Sequence, residues 1–260
     1  MIVTYRYFNP VGHYVFAYYD RYGNIKSDFN NFEIALESRF APKEILMIND
    51  NDRFSMGSTD APILTLKTIF GIQDVLKSEF NYQKVSLNIS QTLKLGVLGR
   101  TTYSLTATKI WGKVPYPLLN ILPGNENIIA STSTYNLVNF FEFVSDESLE
   151  LILNHYFGGL FFNRIPLFKK LKFREVIGTK AVWGTMSPEN KNIYPTTDAS
   201  GRSVDYFTAL RPNQPYVEVF AGIDNILRFF RIDFIYRLTY LNEPYHVQQW
   251  GLKWTAHFQL

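Results

Sequence analysis

The alternation over residues 248–260 constrains this chain more than any other feature. Gln248, Trp250, Leu252, Trp254, Ala256, Phe258 and Leu260 take one set of positions, and Gln249, Gly251, Lys253, Thr255, His257 and Gln259 the other. After Gln248 one face is apolar and the other polar for about ten residues. That is the period of a strand and the length at which a tilted strand crosses a bilayer. A strand of a soluble sandwich usually stops near about five or six residues.

Residues 230–240 repeat the pattern. Phe230, Ile232, Phe234, Tyr236, Leu238 and Tyr240 form one face; Arg231, Asp233, Ile235, Arg237 and Thr239 form the other. Charges of both signs on one face suit a polar lumen, because an Arg at the lipid midplane costs about 2–4 kcal/mol. Arg231, Asp233, Arg237 and Lys253 are therefore the candidate lumen-facing charges. Pro244 lies in the turn between the two strands and stops pairing there.

Further strands are expected at residues 2–8, 14–19, 32–40, 63–70, 81–93, 103–111, 149–161, 172–183 and 216–223. Residues 42–61 and 113–134 read as loops, 163–170 as a compact link, and 184–214 as a long polar loop rich in Ser, Thr, Pro, Asn and Asp. Residues 135–143 are either one more strand or part of a long folded-in loop, and that choice decides on which side the earlier loops lie. The expected fold is all-β: an antiparallel transmembrane β-barrel in one domain over 1–260. The chain would supply its C-terminal part, about 11–12 strands of about 16. Short turns at one end and a long loop at the other place 184–214 outside the cell, so that the strand from 216 descends, that from 230 ascends and 248–260 descends to the periplasm.

Composition agrees. Aromatics make up 17% and charged residues 19%, below the roughly 25% of soluble chains, yet mean hydropathy is only −0.10. Such a balance describes elements apolar on one face only. No run approaches the about 18 apolar residues of a spanning helix. A chain with no cysteine has neither disulfides nor thiolate metal sites, and a net charge of +3 with scattered basic residues gives no reason to expect nucleic acid as a partner. The first residues alternate like a strand and lack the pattern of a signal peptide, so a fragment of a longer protein is expected.

Catalytic patterns are missing. His13, His155, His246 and His257 are far apart in sequence, with no HxxxH or HExxH spacing, and no GxSxG nucleophile elbow occurs. Glycines in 95–100 and 157–160 read as a turn and as a close approach within a strand. Glu33, Glu37, Glu175 and Asp233 read as paired lumen charge. The expectation is a protein that is not an enzyme and takes no cofactor or metal. Tyr240, Tyr245 and Trp250 toward one end of the last hairpin, and Phe229, Phe230 and Phe258 toward the other, read as interfacial aromatic girdles.

Several segments carry a resemblance: Phe141-Glu-Phe-Val-Ser-Asp146, His155-Tyr-Phe-Gly-Gly-Leu160, Phe162-Asn-Arg-Ile-Pro-Leu167, Lys169-Lys-Leu-Lys172, Gly222-Ile-Asp-Asn-Ile226, Leu87-Asn-Ile-Ser90 and Ile110-Trp-Gly-Lys-Val-Pro-Tyr-Pro-Leu118. From about residue 31 onward the chain resembles a family of Bacteroidota outer-membrane proteins without an assigned function. Its members carry an N-terminal carboxypeptidase-regulatory-like domain, a β-sandwich module that implies no peptidase activity. That family's barrel is in turn similar to the surface-antigen barrel of outer-membrane assembly and translocation factors. In those, a long loop carries an Arg-Gly-aromatic motif into the lumen. Here Pro123-Gly-Asn125 opens the equivalent loop, and no Arg-Gly-Tyr or Arg-Gly-Phe follows. The last strand is similar to the signal read by the outer-membrane assembly machinery, through Gly251, Trp254, Phe258 and Leu260, although members usually finish on an aromatic residue.

The resemblance implies a cell outer-membrane barrel with an assembly, translocation or transport role, with outer-membrane lipids and the assembly machinery as partners. An extracellular ligand at the 184–214 loop is a further expectation. Two other classes stay open: a fragment of a porin or TonB-dependent transporter, with a wide lumen, and a soluble lipid-binding β-barrel.

Overall fold

The computed structural model describes residues 1–10, 16–50, 52–55, 58, 60–198, 200–201, 208–242 and 247–256. Ten strands form one antiparallel sheet in which each strand pairs with the next along the chain. They are β1 (Ile2–Phe8), β2 (Phe29–Phe40), β3 (Ile63–Gly71), β4 (Tyr82–Lys94), β5 (Arg100–Trp111), β6 (Glu147–Tyr156), β7 (Arg174–Thr185), β8 (Tyr216–Ile226), β9 (Phe230–Arg237) and β10 (Trp250–Ala256). Among the described residues no pairing joins β1 to β10, so the sheet is open at both edges. No helix of the described residues is long and apolar enough to cross a membrane.

Two expected strands are not in this sheet. Of residues 14–19, 14 and 15 lie outside the described residues, and Tyr18–Tyr19 forms a small separate hairpin with Ile25–Lys26. Tyr18 is instead buried among the rings of Phe29 and Phe80. Residues 135–143 do not cross the sheet; Phe141 is in the left-handed region at φ 62, which breaks extension, and only Phe143–Ser145 forms a short strand. β6 stops at Tyr156 rather than running to 161, because Gly158 and Gly159 take φ 68 and 94 and turn the chain out of the sheet. The expected loop 42–61 contains a hairpin, Leu46–Asn49 with Asp52–Ser55. The link after β6 contains a short helix, α1 (Pro166–Leu171), and the 184–214 loop begins as β7 and then forms α2 (Pro188–Lys191).

The meander sorts the connections. The described residues of 9–28, 72–81, 112–146, 186–215 and 238–249 lie at one end of the sheet, here the loop end; those of 41–62, 95–99, 157–173 and 227–229 lie at the other, the turn end.

Period two then sorts the side chains. One face carries Ile34, Leu36, Leu66, Phe70, Leu87, Leu149, Ile177, Ile232, Phe234 and Leu252, and large apolar groups there stand exposed: Leu252 by 63%, Phe234 by 46%. All four tryptophans lie on this apolar face, with Trp111, Trp183 and Trp250 toward the loop-end halves of β5, β7 and β10. The opposite, polar face carries cross-strand hydroxyl and amide pairs such as Ser86 with Thr108 (2.9 Å) and Asn88 with Ser104 (2.8 Å). It also carries charge, and that charge is buried: Glu218 and Arg237 are 0% exposed and Lys180 1%. This inverts the arrangement of a water-soluble protein.

Three apolar clusters lie on the polar-face side. The largest gathers Phe16, Tyr18, Phe29, Phe80, Tyr82, Val114 and Met186 beneath the loop-end connections. The second holds Tyr135, Phe143, Tyr216 and Tyr240, the third Leu137, Val176, Phe220 and Ile235. Glycines make room for the rings: Gly178 lies directly opposite Phe220, and a Cβ there would come 2.3 Å from that ring and 2.2 Å from the Leu153 carbonyl oxygen. Although valine is the better strand former, Gly178→Val is expected to lower stability by about 1–3 kcal/mol through overpacking. Urea unfolding measures this, and an unchanged midpoint would contradict the packing described.

Candidate functional site

Residues 112–146 leave the loop end and fold back across the polar face of β7 to β10. The segment is irregular because its own residues demand it. Pro115 and Pro123 cannot donate to a ladder, and a Cβ on Gly124 would meet the backbone oxygens of Asn139 and Val138 at 2.4 and 2.6 Å. Asn125 knots the turn by donating to the Ile129 carbonyl (2.8 Å) and to Asn136 Oδ1 (2.9 Å), while its Oδ1 accepts from the Asn127 N–H (3.0 Å). Asn120–Ile121 pairs with Phe143–Ser145 and draws the two ends of the segment together.

Charged side chains of the sheet hold this loop. The Glu218 carboxylate accepts from the Asn136 N–H (2.9 Å), the Leu137 N–H (3.1 Å) and the Tyr216 hydroxyl (2.9 Å). Lys180 Nζ donates to the carbonyls of Ser131 (2.7 Å) and Thr134 and lies 3.9 Å from Glu218. Arg237 forms a two-pronged ion pair with Glu142 (2.7 and 3.3 Å) and donates to the carbonyls of Leu137 (3.1 Å) and Tyr240 (2.8 Å). Its guanidinium also sits 5.4 Å from the Phe143 ring centre and 5.0 Å from that of Tyr216. Lys253 donates to the Asn125 carbonyl at 2.6 Å. Burial pushes the Tyr135 phenol well above its ordinary pKa, and the carboxylates of Glu150 and Glu218 raise it further.

The loop also reaches the free edge of β10. Ala130 N–H donates to the Trp254 carbonyl (2.7 Å) and Trp254 N–H to the Ile128 carbonyl (3.1 Å), forming a parallel bridge.

Arg231, Asp233, Arg237 and Lys253 all lie buried on the polar face. Arg237 and Lys253 touch the loop, whereas Arg231 pairs with Asp233 (2.8 Å) and donates to the Tyr156 hydroxyl (3.2 Å). Gly251 is buried beside Leu137, and Trp254 is on the apolar face. Phe258, Leu260, Tyr245, His13, His246 and His257 lie outside the described residues.

Other expected roles shift. Tyr240 is not at a girdle: β9 ends at Arg237, and Tyr240, at φ 56, is buried with its hydroxyl donating to the Gln214 carbonyl (2.7 Å). Glu33 does pair, with Arg6. Among the described residues Glu175 forms no such pair; its carboxylate caps the N–H groups of Phe161 (2.6 Å) and Phe162 in the turn after β6.

Lys180, Glu218 and Glu142 were not singled out in the sequence. Lys180 could have been, as the one charge between Gly178 and Val182 on its face. Glu142 stands in an irregular segment and carries no periodic signal. At the loop end, Glu189, Asn192 and Ile193 of the 184–214 loop help to line a pocket of about 870 Å³ with Tyr19, Tyr22 and Lys77. Among the described residues no group of three or more acids or histidines converges to hold a metal ion.

No curated protein matches this sequence. Residues 20–192, from the first loop-end connection through α2, match the C-terminal domain of a family of unknown function (DUF5686).

Proposed function

The chain belongs to that family of unknown function, and from this premise we propose that it forms wall strands of a β-barrel in the bacterial outer membrane, with no catalytic role. The loop 112–146 lies in the lumen and restricts it. The observation that carries this reading is the inverted sorting of side chains, with Arg237, Lys180 and Glu218 buried on one face and Ile232, Phe234, Leu252 and Trp254 bare on the other. Water penalises a bare apolar face this large; hydrocarbon accepts it, and β2 to β8, of 9 to 13 residues, are long enough to span when tilted. A lipid-binding barrel in water would place its apolar residues inside, and the loop across the polar face of β7 to β10 favours a restricted lumen over a wide one. With the loop end outside the cell, the turn end faces the periplasm. The role in assembly, translocation or transport then depends on whether the loop can leave the lumen.

The four tryptophans give the test without substitution. In vesicles of brominated phosphatidylcholine their fluorescence is expected to fall strongly, with little response to aqueous iodide. Strong quenching by iodide and none by the brominated lipid would refute the membrane assignment.

A further inference from the structure

We propose that the turn-end surface built from residues 95–99, 157–173 and 227–229 docks on the phosphate headgroups of anionic phospholipids in the leaflet at that end. This rests on the membrane reading above and adds a lipid class to it. The three connections form one surface. Gly99 packs against the backbone of Tyr156 and Phe157, where a Cβ would come 2.0 Å from the Tyr156 oxygen, and Asn225 Nδ2 donates to the Lys172 carbonyl at 2.7 Å, tying the end of α1 to the β8–β9 turn.

Each connection pairs bare apolar groups with cations. Val97 is 86% exposed between Lys94 and Arg100, Leu167 is 61% exposed ahead of Lys169, Lys170 and Lys172, and Leu227 is 70% exposed beside Arg228. Residues 94–100, 157–174 and 227–229 contain no Asp or Glu; the bordering acids are Glu175, whose carboxylate caps Phe161 and Phe162 in the turn after β6, and Asp224, opposite Arg174, and the cations of the three connections outnumber them. Among the described residues Lys169, Lys170 and Lys172 form no ion pair. The other connection at the same end, 41–62, carries Glu44, Asp50, Asp52 and Asp60, so the unbalanced positive charge is confined to the side of the sheet from β4 to β9. Apolar tips that enter the acyl boundary while lysine stems carry their charge back to headgroup depth is the general mode of interfacial anchoring, and clustered cations there select anionic lipid.

The test reconstitutes the chain in vesicles of phosphatidylcholine mixed with cardiolipin, and native mass spectrometry reads which lipid stays bound on release. Cardiolipin is expected to be retained in preference to phosphatidylcholine, and the exposed triple variant Lys169→Gln, Lys170→Gln, Lys172→Gln to lose about tenfold of that preference, while tryptophan quenching by brominated lipid is unchanged. Equal retention of both lipids, or a preference that survives in the variant, overturns the proposal and leaves the membrane reading standing. Absence of quenching in any vesicle overturns the membrane reading and this proposal with it.

Discussion

Arg237→Met is expected to free residues 112–146 from the sheet. The substitution leaves the Glu142 carboxylate buried without its cation, and removing one partner of a buried pair costs about 3–5 kcal/mol. Glu142 itself lies at 2% exposure and the arginine at 0%, so no solvent screening relieves the loss. The Leu137 and Tyr240 carbonyls would lose their charged donor at the same time. Limited proteolysis should then cut within residues 123–142, where the unaltered protein is expected to resist. The double replacement Arg237→Met with Glu142→Leu removes both charges and should restore part of that resistance, because an apolar pair in the same space leaves no charge unpaired. Cleavage of the single variant at the rate of the parent would show that the ion pair does not retain the loop.

Phe234→Arg tests the opposite face. Phe234 pairs with Leu252 across β9 and β10, stacks near the Trp250 ring at 6.1 Å and is 46% exposed. In a bilayer an arginine at mid-depth is expected to lower unfolding stability by about 2–4 kcal/mol, measured by denaturant titration from vesicles. If the face met water, a change at so exposed a position would stay within about 0.5 kcal/mol. The two environments thus differ in the size of one number, and a cost below about 1 kcal/mol would argue against lipid contact.

What the sequence discloses is whatever repeats with a short period. The faces of β9 and β10 are legible because Arg231, Asp233 and Arg237 alternate with Ile232, Phe234 and Tyr236, with Ile235 as the one apolar residue on the charged face of β9. The boundaries of β1, β3, β4 and β5 follow for the same reason. Legibility ends where the backbone leaves the repeat. Residues 14–19 and 135–143 alternate well enough to resemble strands, yet Phe16, Tyr18, Tyr135 and Phe143 pack into clusters with residues remote in sequence, and those partners decide their place. The latch divides along the same line: Arg237 is visible as a charge on a regular face, while Glu142 and the backbone groups capped by Glu218 belong to a segment with no period to read. The pair Gly158 and Gly159 could have marked the end of β6, since two adjacent glycines permit the positive φ angles of a turn more readily than they stabilise a strand.

The bridge between Ile128–Ala130 and Trp254 has a consequence for the order in which the molecule comes together. Asn125 and Lys253, which meet at 2.6 Å, are 128 residues apart, and the contacts of Ala130 with Trp254 and Thr255 span a similar distance. Residues 112–146 precede β10 by more than a hundred positions in the chain, so part of the segment's seat is missing until β10 joins the sheet. Contacts this distant in the chain form slowly, because the entropy of closing the intervening loop is lost before any bond repays it. Docking of β10 and seating of residues 125–130 are therefore one step, and a late one. Slowing the arrival of β10 should prolong the life of a species whose sheet is largely paired but whose interior is still wet.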